Sequence, residues 1–311
     1  MNAPKVSVII PNYNHAEFLK QRIDSVLNQT YKNFELIILD DCSTDDSQSV
    51  INKYKLHPYV KHIVLNTQNS GSAFRQWKKG VELARGEWVW IAESDDYADP
   101  SFLESMISLI DDQTGIGLAY CDSKVVDGNT ELPRTFAMEK NKKFKTSRWS
   151  DSFRNHGLDE IENFFLPEGT INNASAVLFN KSILLKSNPF DSEFKYIGDK
   201  YIFLKVMIIA DVLYNKKALN YYRNPFNAKY SDKLLPLFFE QFVIFDWIYK
   251  ETNLPKKKFF NFFYYSARIS LYRNWSLEKV KILKTIVKIN GKLSIRIIGY
   301  NLFAPFSERA L

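Results

Sequence analysis

The sequence predicts an α/β fold, a doubly wound and mainly parallel sheet, and three observations carry that expectation. Apolar runs and helical patterns alternate four times in the first hundred residues. Each apolar run reads as a short buried strand. Three of them stop abruptly in polar residues, at Pro11-Asn12-Tyr13-Asn14, Asp40-Asp41-Cys42-Ser43 and Glu93-Ser94-Asp95-Asp96. In such sheets ligands bind outside the carboxyl ends of the strands, so these segments converge on one crevice.

The elements follow in order. Residues 5–10 form a β-branched strand, and Phe18, Leu19, Ile23, Val26 and Leu27 recur at helical spacing. A second strand covers 34–39, and Ser43 or Thr44 caps a helix running to about Leu56. A third covers 60–65. Residues 69–72 lead into a helix carrying Trp77, Val81 and Ala84, with Gly86 as its C-cap. The fourth strand, 88–92, is followed by a helix with Asp99 as cap and Pro100 at its first position.

After Asp111 the pattern loosens. Strands are expected at 117–121 and 124–126, a long irregular excursion or lid at 128–157, and a short helix at 160–166. A strand at 174–179, a helical turn at 181–185, an apolar helix at 201–210 and an edge strand at 218–222 follow. From Leu234 the chain reads as helical, over 234–250, 256–273 and 277–290. A boundary near residue 230 separates the two regions.

Charge is uneven. The net value is +7, yet residues 250–311 hold 13 Lys+Arg against 3 Asp+Glu, leaving 29 against 32 in the rest. That asymmetry points to an anionic partner for the tail alone. Lys281, Lys284, Lys288 and Lys292 flank an apolar stripe, and Lys256, Lys257 and Lys258 abut aromatic residues. Such a face suits an anionic membrane surface, or equally a helical bundle packed on the rest of the protein. No apolar run approaches a membrane span, and the N-terminus enters a strand with no signal peptide. Two cysteines imply no disulfide framework, so a cytoplasmic location is expected, with peripheral attachment to the inner membrane face as an option. The four histidines lack zinc-like spacing. A Gly-x-Gly-x-x-Gly after the first strand and a P-loop are both absent.

Three carboxylates in four residues, Glu93, Asp95 and Asp96, repel one another unless a cation sits among them. Hard oxygen ligands suit Mg²⁺ or Mn²⁺ shared with substrate phosphates. A polar turn capping the next helix is the plainer reading.

Three motifs together, residues 6–14, 39–45 and 86–97, resemble those of the inverting glycosyltransferases of family 2, which adopt the nucleotide-sugar-binding fold called GT-A. The resemblance is close over 5–100, looser to about 225 and absent beyond 230. It implies a catalytic domain over 1–230 and a basic helical region over 231–311. It also implies sugar transfer from a nucleoside-diphosphate sugar, a UDP-sugar first among the donors, to a hydroxyl on a glycan or lipid-linked acceptor in bacterial envelope polysaccharide synthesis. Pro11, Tyr13 and Asn14 match nucleotide-contacting positions, and Asp41 matches the carboxylate that accepts the base's ring N–H. Asp40 shapes the loop. Ser94 and Asp95 match the donor-binding region, and Asp95 and Asp96 match the metal-holding one. Glu93 stands where the family often has Asp, Cys42 where many members have Gly. Asp199 matches the catalytic base, although Gly198 replaces an acidic neighbour; a helix N-cap is its other reading, with Asp191 or Glu193 as alternative bases. A sugar nucleotidyltransferase and a non-catalytic sugar-nucleotide-binding protein are the competing classes. Nucleic-acid binding ranks last, because the tail carries no recognised module.

Overall fold

The computed structural model describes residues 3–128, 130–166, 169–223 and 234–253. Residues 1–227 and 228–311 form two compact units. Of the second, one helix is described, Leu234–Glu251, with Lys250 paired to Asp246 one turn away. The expected helices at 256–273 and 277–290 lie outside the described residues, as do the tail lysines from Lys256 onward.

The first unit is an α/β sheet. β1 (Val6–Asn12), β2 (Phe34–Asp40), β3 (Val60–Leu65) and β4 (Trp88–Ile91) run parallel in the order 3-2-1-4. All residues of β1, β2 and β4 are buried, which is why these strands read as continuous apolar runs. One face carries α1 (Ala16–Leu27), α2 (Ser47–Asn52) and α4 (Phe102–Ile110). There Leu19, Ile23, Ile51, Phe102 and Met106 join Val6, Val8 and Ile10 in a single core. The other face carries α3 (Ala73–Leu83), seated on β1 where Gly80 leaves room for Ile9.

The sheet continues through antiparallel β9 (Val177–Asn180), then β6 (Ile116–Asp127), β10 (Asp211–Arg223) and the two-residue β5 (Tyr97–Ala98). β6 is one twelve-residue strand, where the sequence suggests two separated by Asp122-Ser123. Asp122 and Ser123 stay in the strand because they are satisfied there. Asp122 accepts the Ala137 N–H at 2.8 Å, and Ser123 accepts from Asn220 at 3.1 Å. β10 is not an edge strand over 218–222, since β6 flanks it on one side and β5 on the other.

The expected irregular excursion is built of regular pieces instead. β7 (Thr130–Thr135) pairs with β6, α5 (Phe136–Phe144) follows, and β8 (Phe153–Asn155) pairs with β10. Lys140 explains part of that order. Its ammonium is buried among the rings of Tyr120, Trp149 and Tyr214 at 5.3–5.6 Å, and it donates to the Thr170 carbonyl. Burial pulls its pKa down to about 8. α6 (Gly157–Glu160) leads into a π-helical turn at Ile161–Phe165. A 3₁₀ turn at Ala174–Ala176 takes the first half of the strand expected at 174–179. α7 (Lys181–Lys186) and α8 (Gly198–Met207) complete the unit.

Three local expectations at helix ends give way to tighter geometry. α2 begins at Ser47, not after Ser43, because Ser43 is spent on Asp40. Asp99 lies outside α4. Its carboxylate accepts the Ser101 N–H and hydroxyl in an Asx turn, and Ser101 is the N-cap. Gly86 does not cap α3, which ends at Ala84. A methyl there would stand 2.5 Å from the Ser7 nitrogen, so glycine is needed for the close approach of β4 to β1.

Candidate functional site

The site begins at the break between β1 and β4, where the strand order turns. Asn12 accepts the Asp41 N–H on the β2 side, and Ile9 accepts the Ala92 N–H on the β4 side. By strand alternation, Pro11 faces β4, beyond that strand's last pair at Ile9–Ile91. A proline, with no N–H to offer, ends the ladder and lets the two chains part. Pro11 is buried in this role, whereas Tyr13 stands 46% exposed at the opening. An exposed ring beside a strand end is a platform on which a nucleobase can stack.

The loop after β2 is wired to the loop after β1. Asp40 is fully buried and accepts from Asn12 at 2.8 Å, from the Ser43 hydroxyl at 2.6 Å and from the Ser43 N–H at 3.0 Å. Asn14, with φ of 54°, accepts the Thr44 N–H at 2.7 Å through its side chain and donates its N–H to Ser43. Its amide therefore ties the two loops together. Cys42 has φ of 62°, the left-handed conformation glycine adopts without strain. Glycine, which the resemblance above places at this position in many members, would adopt the same conformation at no cost.

Asp41 is nearly buried and heavily hydrogen-bonded. Its carboxylate accepts from Asn66 at 2.7 Å, Gln76 at 2.8 Å, the Ser70 N–H at 2.9 Å and the Ser70 hydroxyl at 2.7 Å. Three of these bonds crowd Oδ1, and Oδ2 takes the Ser70 hydroxyl with a longer 3.1 Å branch of the Ser70 N–H. A base N–H at Asp41 would meet Oδ2, in competition with Ser70.

The acidic loop after β4 divides its carboxylates. Asp96 faces inward, accepting from Asn173 at 2.8 Å and from the Arg223 N–H at 2.9 Å. Burial and the nearby Asp95 push its pKa up to about 6, against the pull of Arg22. Glu93 accepts from the Trp77 indole at 2.7 Å; burial and then Asp95 push it up to about 8. Asp95 is different. Half-buried, its carboxylate accepts no hydrogen bond from any described residue. Ser94 is 1% exposed and its hydroxyl lies 2.8 Å from His15 Nδ1, which joins this loop to the end of β1.

Beneath the three carboxylates lies Arg22, wholly buried, its Nε donating to the Glu93 carbonyl at 2.8 Å. Among the described residues its two terminal nitrogens have no hydrogen-bond partner, and burial lowers its pKa to about 10. It acts as a fixed positive charge behind Glu93, Asp95 and Asp96. Arg22, His15, Trp77 and Asn173 all escape sequence reasoning. Each looks like an ordinary helix or loop residue until the strand ends are brought together.

Asp199 lies in the first turn of α8, half-buried, with Ile197 as the N-cap. It is therefore not the N-cap. Asp199 and its two alternatives are all engaged. Asp191 accepts from Tyr201 at 2.8 Å and Lys205 at 2.7 Å, and Glu193 pairs with Arg75 at 2.7 Å.

Among the described residues no three His, Cys, Asp or Glu side chains are grouped to hold an ion. The donor chemistry still fits a hard divalent cation. Mg²⁺ and Mn²⁺ are commonly held by one or two carboxylates, with waters and substrate phosphates filling the remaining positions. Asp95 is the carboxylate with lone pairs to give.

A protein-family model described as glycosyl transferase family 2 matches residues 7–172. An uncharacterised glycosyltransferase of Methanocaldococcus jannaschii is 26% identical over 309 residues, covering 94% of this chain and 96% of that one. The putative teichuronic acid biosynthesis glycosyltransferase TuaG of Bacillus subtilis is 31% identical over 142 residues, 44% of this chain and 56% of TuaG. Among solved structures, S. aureus TarS residues 1–349 superposes with a TM-score of 0.63 at 18% identity, covering 98% of this chain and 77% of that one. The mannosyltransferase PcManGT from Pyrobaculum calidifontis, in complex with GDP-Man and Mn²⁺, gives 0.57 at 15% identity, covering 97% and 88%. At such identities the two structures show the fold alone, and that fold is GT-A. With a family model spanning more than half of its length, the chain belongs to glycosyl transferase family 2.

Proposed function

We propose that the protein is a metal-dependent, inverting glycosyltransferase that moves a sugar from a nucleoside-diphosphate sugar to a hydroxyl acceptor. The observation that carries this reading is an Asp95 carboxylate that accepts no hydrogen bond from the described residues together with an exposed Tyr13 ring, at the ends of the paired strands β4 and β1. Tyr13 stacks the nucleobase. Asp95 holds Mn²⁺ or Mg²⁺, which supplies Lewis-acid stabilisation of the leaving diphosphate. Asp96, Glu93 and Arg22 hold the loop so that Asp95 points outward. Asp199 takes the proton from the acceptor hydroxyl as that oxygen attacks C1 from the face opposite the diphosphate.

The donor is a UDP-sugar in this reading, supported by a TarS structure in complex with UDP-GlcNAc. The acceptor is an envelope glycan, supported by the name of TuaG. The test is a thermal-shift survey of UDP-, GDP- and dTDP-sugars with and without Mn²⁺. UDP-sugars with metal should raise the Tm, since a ligand bound only by the folded state stabilises it. A survey in which no sugar nucleotide moves the Tm would sink the proposal. The competing nucleotidyltransferase reading predicts formation of sugar nucleotide from sugar phosphate and nucleoside triphosphate, measurable in the same samples.

The basic tail supports a peripheral position on an anionic membrane surface, each Lys or Arg near such a surface contributing about 1 kcal/mol. No described helix is long and apolar enough to cross a membrane. Sedimentation with anionic vesicles, reversed by salt and absent with neutral vesicles, is the expected result. Equal behaviour with both lipids would dismiss the idea.

A further inference from the structure

Helix α3 and the residues leading into it touch three segments of the site: the loop after β2, the loop after β4 and the segment entering α8. Ser70, just before it, and Gln76, within it, hold Asp41. Trp77 donates its indole N–H to Glu93 at 2.7 Å. The Ser72 hydroxyl donates to the Phe194 carbonyl at 3.3 Å, and Arg75 pairs with Glu193, so the start of α3 is tied to the segment entering α8. Phe74 meets Trp77 edge to face, with ring centroids 5.2 Å apart. The same ring lies against Gly198. A Cβ at 198 would come 2.7–2.8 Å from three Phe74 ring atoms, and rigid ring atoms cannot swing aside as the end of a flexible chain could. The helix is itself seated hard on the sheet, since a Cβ at Gly80 would come 2.4 Å from Ile9.

A continuous contact path therefore runs from Glu93 through Trp77 and Phe74 to Gly198, one residue before Asp199. A helix that merely covers the sheet has no need to end two of its side chains at these points. We propose that Phe74 and Trp77 are positioning residues, which fix the spacing between the acidic loop after β4 and the first turn of α8. The inference rests on the reading of Asp199 as the base. It accounts together for the two departures from the family's pattern. Glu93 hydrogen-bonds the Trp77 indole from the position where Asp is usual, and Gly198, by having no side chain, admits the Phe74 ring.

Misplacing a reacting group by about 1 Å costs roughly 10²-fold in rate, so the expected signature is a fall in kcat and not in donor binding. The experiment compares Gly198→Ala, Phe74→Ala, the double variant and Trp77→Phe. It measures kcat, donor KM and the Tm shift with UDP and Mn²⁺. Wild-type transfer is established first, by identifying the product's anomeric configuration. Gly198→Ala should lose roughly 10²-fold in kcat with donor KM nearly unchanged. The double variant should recover part of that loss, because contacting residues are energetically coupled. Trp77→Phe, which keeps a ring but loses the bond to Glu93, should lose about tenfold in kcat while retaining the Tm shift.

Losses that simply multiply in the double variant would overturn the inference. So would wild-type kcat in Gly198→Ala. Should Gly198→Ala fail to fold, Trp77→Phe decides, and a folded Trp77→Phe with wild-type kcat would overturn it as well. A wild-type protein that transfers no sugar defeats the functional reading instead, so the two failures are distinct.

Discussion

Asp95→Asn should abolish metal-dependent transfer and leave the protein folded. Asp95 accepts no hydrogen bond from the described residues, so its replacement by the isosteric amide breaks no hydrogen bond among them and gives up only its charge interaction with Arg22. What it removes is a formal charge at the mouth of the site. A divalent cation contributes several kcal/mol to the stability of a departing diphosphate, so the expected loss is roughly 10³-fold in kcat/KM. The Mn²⁺-dependent part of the Tm shift with UDP should vanish alongside it. Asp96→Ala should behave differently. It leaves the Asn173 amide and the Arg223 N–H without a partner in a buried place, which costs about 1–3 kcal/mol for each. Its first effect should be a lower Tm with no ligand present. A well-folded Asp96→Ala that has lost only its metal response, beside an active Asp95→Asn, would reverse the two assignments.

The sequence carried much of this arrangement because parallel strands announce themselves. β1, β2 and β4 are apolar along their whole length because both faces are covered, and their polar ends mark the crevice. The family resemblance drawn from residues 6–14, 39–45 and 86–97 is upheld by the family model over 7–172. What stayed hidden was set by contacts distant in sequence. Which of Asp95 and Asp96 turns outward depends on Asn173 and Arg223, which lie 77 and 127 residues from Asp96. The order within 128–157 rests on Lys140 finding three rings and one carbonyl in separate elements. The helix starts expected near Ser43 and at Asp99 were misplaced for one shared reason. A side chain able to cap a helix bonds a nearer partner when the loop provides one.

Asp199→Asn should keep nucleotide binding and lose sugar transfer. Asp199 lies in the first turn of α8 beside Gly198, at the end of the contact path that starts on Glu93. The amide is nearly the same size and cannot take a proton from the attacking hydroxyl. Loss of a general base lowers the rate by roughly 10²–10⁴-fold. Because a base acts on the acceptor, the Tm shift with UDP and Mn²⁺ should match that of the unaltered protein, and donor KM should change little. Asp191→Asn serves as the control. That carboxylate is held by Tyr201 and Lys205 along α8, so its loss should lower stability modestly and leave most of the transfer rate in place. Full turnover by Asp199→Asn together with a collapse in Asp191→Asn would move the base to Asp191, in the segment before α8. Full turnover in both would place the proton acceptor elsewhere, with Glu193 next to be tested through the Arg75 pair that restrains it.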